Sequence, residues 1–151
     1  MGMETNASHS FVILFAEDDE GHATLVQRNL KRSGISNPVV HVKDGQEALD
    51  YVRSEGSYSG RAPEHLLLVL DINMPRVDGI EVLRRLKANS LTAGIPVIML
   101  TTTDNPHEIE RCYQLGCSVY VTKPVGYEAF VEAVKRLGLF LQIVEVPEPK
   151  N

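Results

Sequence analysis

The sequence predicts an α/β domain, a doubly wound parallel sheet with helices on both faces. Three observations carry that expectation. Five short apolar runs alternate with five amphipathic segments along the 151 residues. The runs are apolar almost throughout, as strands covered on both sides are, and do not alternate with polar residues. Each run also ends on polar, reactive side chains, which is where sites form in such sheets.

Taken in order, "FVILFA" (11–16) is the first strand and breaks into "EDDE". "GHATLVQRNLKRSG" follows as a helix with Leu25, Val26 and Leu30 at helical spacing, stopped by Gly34. "PVVHV" (38–42) is the second strand, and "DGQEALDYVRSEG" a helix opened at Asp44 and closed at Gly56. The turn-rich "SYSGRAPEH" leads to the third strand, 66–70. A third helix over 79–89 carries Ile80, Val82, Leu83 and Leu86, and "IPVIML" (95–100) is the fourth strand. "NPHEIERCYQLG" reads as a helix with Asn105 as N-cap and Pro106 in its first turn. "SVYVT" is the fifth strand and "YEAFVEAVKRLG" the fifth helix.

Composition narrows the function classes. The chain is long enough for one domain with a real core. With 15 basic and 20 acidic residues, the net charge of −5 argues against holding nucleic acid by its phosphates. No apolar run approaches the ~18 residues of a membrane span, and "MGMETNASHS" has no signal-peptide pattern, so a cytoplasmic location is expected. Residues 1–9 are polar and expected to be flexible. Cys112 and Cys117 read as two reduced structural thiols, since two cysteines make no disulfide framework. Histidines 9, 22, 41, 65 and 107 lack ligand spacing and are expected at the surface.

The strand ends hold the chemistry. Strand one delivers Glu17, Asp18 and Asp19; strand three Asp71 and then Asn73; strand four Thr101, Thr102 and Thr103; strand five Lys123 and Pro124. Crowded carboxylates share either a proton or a cation. Magnesium takes a few carboxylates, carbonyls and waters, and is commonly completed by phosphate oxygen. A lysine and a threonine opposite the metal suit the remaining oxygens of a phosphoryl group. These parts describe phosphoryl transfer to a carboxylate nucleophile.

In "VILFAEDDE", "LLLVLDINMPRVDG", "VIMLTTT" and "VYVTKP" the chain resembles a response-regulator receiver domain of two-component signalling over residues 10–138. The spacings of 30 residues from Asp71 to Thr101 and 22 from Thr101 to Lys123 fit a compact receiver. The resemblance implies a flavodoxin-like strand order 2-1-3-4-5. It also implies Asp71 as phosphoacceptor from a histidine kinase, with Mg2+ on Asp18, Asp71, the Asn73 carbonyl and Glu17, the last directly or through water. Thr101 would bond the phosphoryl oxygen, and Lys123 would pair with Asp71 and then with the phosphate. Thr101 and Tyr120 would form the output switch, while Asn73 and Thr103 would set phosphate lifetime. Lys123–Pro124 resembles the family's cis peptide, and Gly79 fits the tight turn into the third helix.

Two departures stand out. Asp18 and Asp71 are 53 residues apart, longer than a minimal receiver, with the excess in "GSYSGRAPEH". After Leu137 comes "GLFLQIVEVPEPK", more apolar than a fifth helix needs, which points to a homodimer contact in an extension over 139–151 or to a tail folded back on its own domain. With "LDINMPRVDG" and "LTTTDNP", these features resemble the stand-alone receivers of bacterial and cyanobacterial phytochrome histidine kinases. Only 28 residues follow Lys123, so output through protein contact is expected, or a place in a relay with a histidine phosphotransfer protein. Rival readings are a haloacid-dehalogenase-type phosphatase, whose nucleophile normally follows the first strand, a pseudo-receiver, which usually lacks one of the site residues kept here, and an FMN-binding flavodoxin.

Overall fold

The five strands are β1 (Val12–Ala16), β2 (Val39–Val42), β3 (Leu66–Leu70), β4 (Val97–Thr101) and β5 (Val119–Thr122). In the computed structural model, which describes residues 11–150, they form one parallel sheet in the order β2-β1-β3-β4-β5. The fold class and strand order are therefore as expected, whereas the stretch 1–9 lies outside the described residues. The helices are α1 (Glu20–Arg32), α2 (Gly45–Arg53), α3 (Gly79–Ala88), α4 (Pro106–Leu115) and α5 (Tyr127–Leu141).

Successive strand residues point to opposite faces. Leu14, Leu68, Leu70 and Met99 pack under α2, α3 and α4, whereas Ile13, Phe15, Leu67, Val69, Ile98 and Leu100 pack under α1 and α5. Side-chain oxygens start four of the helices: Asp19 accepts from His22 N, Asp44 from Glu47 N, Asp78 from Glu81 N and Asn105 from His107 N. Each such cap is worth about 1 kcal/mol. Together they bring the chain from strand end to helix start in a few residues, all at the carboxyl pole of the sheet.

The opposite pole is closed differently. Helix α5 runs three residues past the expected Gly138, and the apolar run behind it divides. Leu141 and Val146 are buried and Val144 packs beside them against the α1–α5 side, while Leu139, Phe140 and Ile143 stay exposed. Gln142 Nε2 donates to the Ser33 carbonyl at the end of α1. Pro147–Lys150 then line a groove of about 480 Å3 with Val52, Glu55, Leu66 and Ile95. The segment after α5 thus straps the amino-terminal ends of the strands. The long loop is braced there too. Arg61 donates to the Tyr51 carbonyl (2.6 and 3.1 Å) and to Glu64 (2.7 Å), and its guanidinium lies 4.2 Å from the centre of the Tyr51 ring.

Two local expectations are settled by geometry. Lys123–Pro124 is trans, a correction to the expected cis bond; trans is the isomer an X–Pro amide prefers. Cys112 and Cys117 are free and buried, and burial pushes the Cys112 thiol up to about 11. Among the described residues no helix is long and apolar enough to cross a membrane.

Candidate functional site

Four polar side chains are buried where β1, β3, β4 and β5 end: Glu17, Asp71, Thr101 and Lys123. Three of them meet directly. Lys123 Nζ donates to Glu17 Oε1 at 2.6 Å and to Asp71 Oδ2 at 3.1 Å, with the lysine only 4% exposed. Two carboxylates and one ammonium out of water are costly to hold unless their geometry and remaining hydrogen bonds are good. The second Glu17 oxygen accepts from Asp19 N at 3.0 Å. Burial raises the Glu17 carboxyl to about 7; the Lys123 bond opposes that rise, and the nearby Asp71 charge adds to it.

The backbone under Asp71 is tightly set. A Cβ on Gly79 would lie 2.1 Å from the Asp71 carbonyl oxygen, and Gly79 N donates to Ile72 O at 2.9 Å. The glycine is needed for this close approach and not for a left-handed turn, because its φ is not positive. Arg76, at φ 67°, reaches from the same loop to both Asp44 oxygens at 3.1 Å.

Thr101, Thr103, Asn73 and Tyr120 form a chain across the site. Asn73 N donates to Asp71 Oδ1 at 3.3 Å, and Asn73 Nδ2 lies 3.5 Å from Thr103 Oγ1. Thr103 N donates to Thr101 Oγ1 at 3.4 Å, and the Tyr120 hydroxyl donates to the Thr103 carbonyl at 2.6 Å. Burial pushes the Tyr120 phenol up to about 12. Asp18 stands apart from the lysine cluster; it is exposed and lines a cleft of about 630 Å3 with Asn73, Asp78, Glu81, Glu108 and Arg111.

Three histidines are corrected by the structure. His22, His41 and His65 are half-buried, whereas His107 is exposed as expected and His9 lies outside the described residues. His22 Nδ1 lies 3.0 Å from Lys123 Nζ, and His41 Nε2 is 2.8 Å from the Glu17 carbonyl. The signal for His22 was its place three residues after the Asp19 cap, which turns the first turn of α1 toward the strand ends. A second missed contact is Tyr113 on α4, whose hydroxyl accepts from Tyr120 N at 3.0 Å.

For a metal, the donors are all hard oxygens. Among the described residues no three acidic, histidine or cysteine side chains form a ready cage. Magnesium does not require one, since it keeps several waters and leans on one or two carboxylates plus phosphate oxygen. Asp18, Asp71 and the Asn73 main chain fit that pattern. Both Glu17 oxygens are already engaged within the protein.

A parallel 2-1-3-4-5 sheet with a buried aspartate–lysine pair at its carboxyl pole defines the class. Residues 13–135 match the model of the response regulator receiver domain, and the chain belongs to that family, whose members are phosphoacceptor signalling domains. Among particular proteins, it is 34% identical to the response regulator Rcp1 of Synechocystis over 90% of this chain and 92% of Rcp1. A Mn2+-bound structure of Rcp1 superposes with a TM-score of 0.84 at 33% identity, covering 91% of this chain and 99% of that one. A receiver domain from Rhodospirillum rubrum gives 0.85 at 44% identity over 93% and 99% of the two chains. The phosphorylated cyanobacterial phytochrome response regulator RcpA gives 0.84 at 34% over 92% and 99%.

Proposed function

We propose that this receiver accepts a phosphoryl group on Asp71 from the phosphohistidine of a sensor kinase, in a reaction that depends on Mg2+. The observation that carries the reading is the buried Lys123 ammonium, 3.1 Å from Asp71 Oδ2. An Asp71 oxygen attacks phosphorus, the P–O bond forms as the P–N bond to imidazole breaks, and the electron pair leaves with the imidazole. Lys123 holds the attacking carboxylate in place and then neutralises the acyl phosphate, while Thr101 donates its hydroxyl to a phosphoryl oxygen. Asp18, Asp71 and the Asn73 carbonyl would hold the metal, with Glu17 reaching it through water; when bound, it neutralises phosphoryl charge.

The chain Thr101–Thr103–Tyr120 supports an output switch. If Thr101 turns to the phosphate, Thr103 N loses its acceptor, and the Tyr120 hydroxyl is bonded to that same residue. Asn73 and Thr103 flank the approach of water and set phosphate lifetime. Likeness to the cyanobacterial phytochrome response regulator RcpA supports a phytochrome-type kinase as donor, with a histidine phosphotransfer protein as an alternative relay partner. The exposed Leu139, Phe140 and Ile143 support a homodimer.

The experiment is intact-mass analysis after acetyl phosphate, with and without Mg2+, beside Asp71→Asn. One added phosphoryl group requiring both Mg2+ and Asp71 is the expected outcome; an adduct on Asp71→Asn would refute the assignment. Light scattering at tens of micromolar tests the dimer, which the triple change of Leu139, Phe140 and Ile143 to serine should dissociate. A monomer in the unaltered protein would end that reading.

A further inference from the structure

A lysine ammonium has three donors and no acceptor. At Lys123 all three are taken: Glu17 Oε1 at 2.6 Å, Asp71 Oδ2 at 3.1 Å and His22 Nδ1 at 3.0 Å. Because the ammonium can only donate, a hydrogen bond between the two requires Nδ1 to be the unprotonated nitrogen, which is the neutral ring with its proton on Nε2. The ring and the backbone that carries it each have a further partner. It stands edge-on to Phe130 of α5, with centroids 5.3 Å apart and planes at 87°. Its own backbone N–H donates to the Asp19 cap at 2.9 Å. Phe130 is itself buried and lies 6.0 Å from Lys123 Nζ.

We infer that His22 is a positioning residue for Lys123: its neutral imidazole holds the third ammonium proton and releases it when a phosphoryl group arrives. The inference rests on Asp71 being the phosphoacceptor. A neutral third acceptor completes the lysine's hydrogen bonds without adding a negative charge that would repel an incoming phosphoryl donor. Bonds to ionised acceptors are stronger than bonds to neutral ones. When the anionic phosphoryl oxygens compete for the lysine, the bond to His22 is therefore the one that yields. His22 touches no reacting atom; it acts through Lys123.

Two measurements on the full chain test this. In the first, 15N NMR of the resting protein should show His22 with Nδ1 bare and Nε2 protonated, and beryllofluoride with Mg2+ should shift the Nδ1 resonance as its bond is lost. In the second, the rate of phosphoryl uptake from acetyl phosphate is followed by intact mass. His22→Ala should be slower by about tenfold, whereas His22→Gln, which keeps a side-chain acceptor, should recover most of the rate. A proton on Nδ1, wild-type uptake by His22→Ala, or equal loss in both variants would overturn the inference. A wild-type protein that takes up no phosphoryl group refutes the phosphoacceptor reading instead, and the resting tautomer still decides the Lys123–His22 contact.

Discussion

The two poles of the sheet are built on opposite principles. At the carboxyl pole the protein buries a lysine with two carboxyl groups and presses the Gly79 backbone against Asp71. At the amino pole, leucine and valine close the strands, a strap passes beneath them, and Arg61 braces the long loop. The contrast separates stability from reactivity. One end supplies apolar burial with few demands, and that offsets the cost of holding desolvated charge at the other.

That division can be broken in graded steps. Gly79→Ala should have the largest effect, because the new methyl meets backbone that cannot move away. A loss of about 3 kcal/mol or more is expected in chemical denaturation; a loss below 1 kcal/mol would mean that the loop yields easily. Truncation after Gln142 removes Val144 and the buried Val146 and should cost about 2 kcal/mol while leaving Mg2+-dependent uptake on Asp71 intact. Lost uptake in a folded truncation would show that the poles are not independent. Asp71→Asn should act in the other direction, removing a like charge beside Glu17 while its amide oxygen still accepts from Lys123. A rise in Tm of a few degrees, equivalent to about 1 kcal/mol, is expected along with loss of uptake, and a marked fall would contradict the view that this pole is held at a cost. Tyr113→Phe should cost least, about 1 kcal/mol, and hydrogen exchange at the Tyr120 amide should accelerate; unchanged exchange would remove the significance of that bond.

The elements were legible because each strand is a bounded apolar run and several helices announce themselves with a capping aspartate or asparagine. The reactive residues were legible for a related reason: a parallel sheet brings its strand ends together, so Glu17, Asp71, Thr101 and Lys123 could be named from position alone. His22 could not, because it reaches the lysine from a helix turn, and a list of strand ends omits it. Gly79 stands in the sequence as a turn glycine, but its role depends on a distance to the Asp71 carbonyl that no local pattern encodes. The strap was hidden too. In "GLFLQIVEVPEPK" the buried and exposed apolar residues look alike until Gln142 is tied to Ser33 and the chain turns under the strands.

The Tyr113 hydroxyl on Tyr120 N also governs how the molecule meets its neighbours. Strand β5 is an outer strand of only four residues, and an outer strand with open amides is a template for pairing with another chain. By occupying the Tyr120 amide, Tyr113 interrupts that template near its middle. An approaching strand would find no continuous ladder along this border, so association on this side must be built from side chains, which are selective, in place of main-chain pairing, which is not.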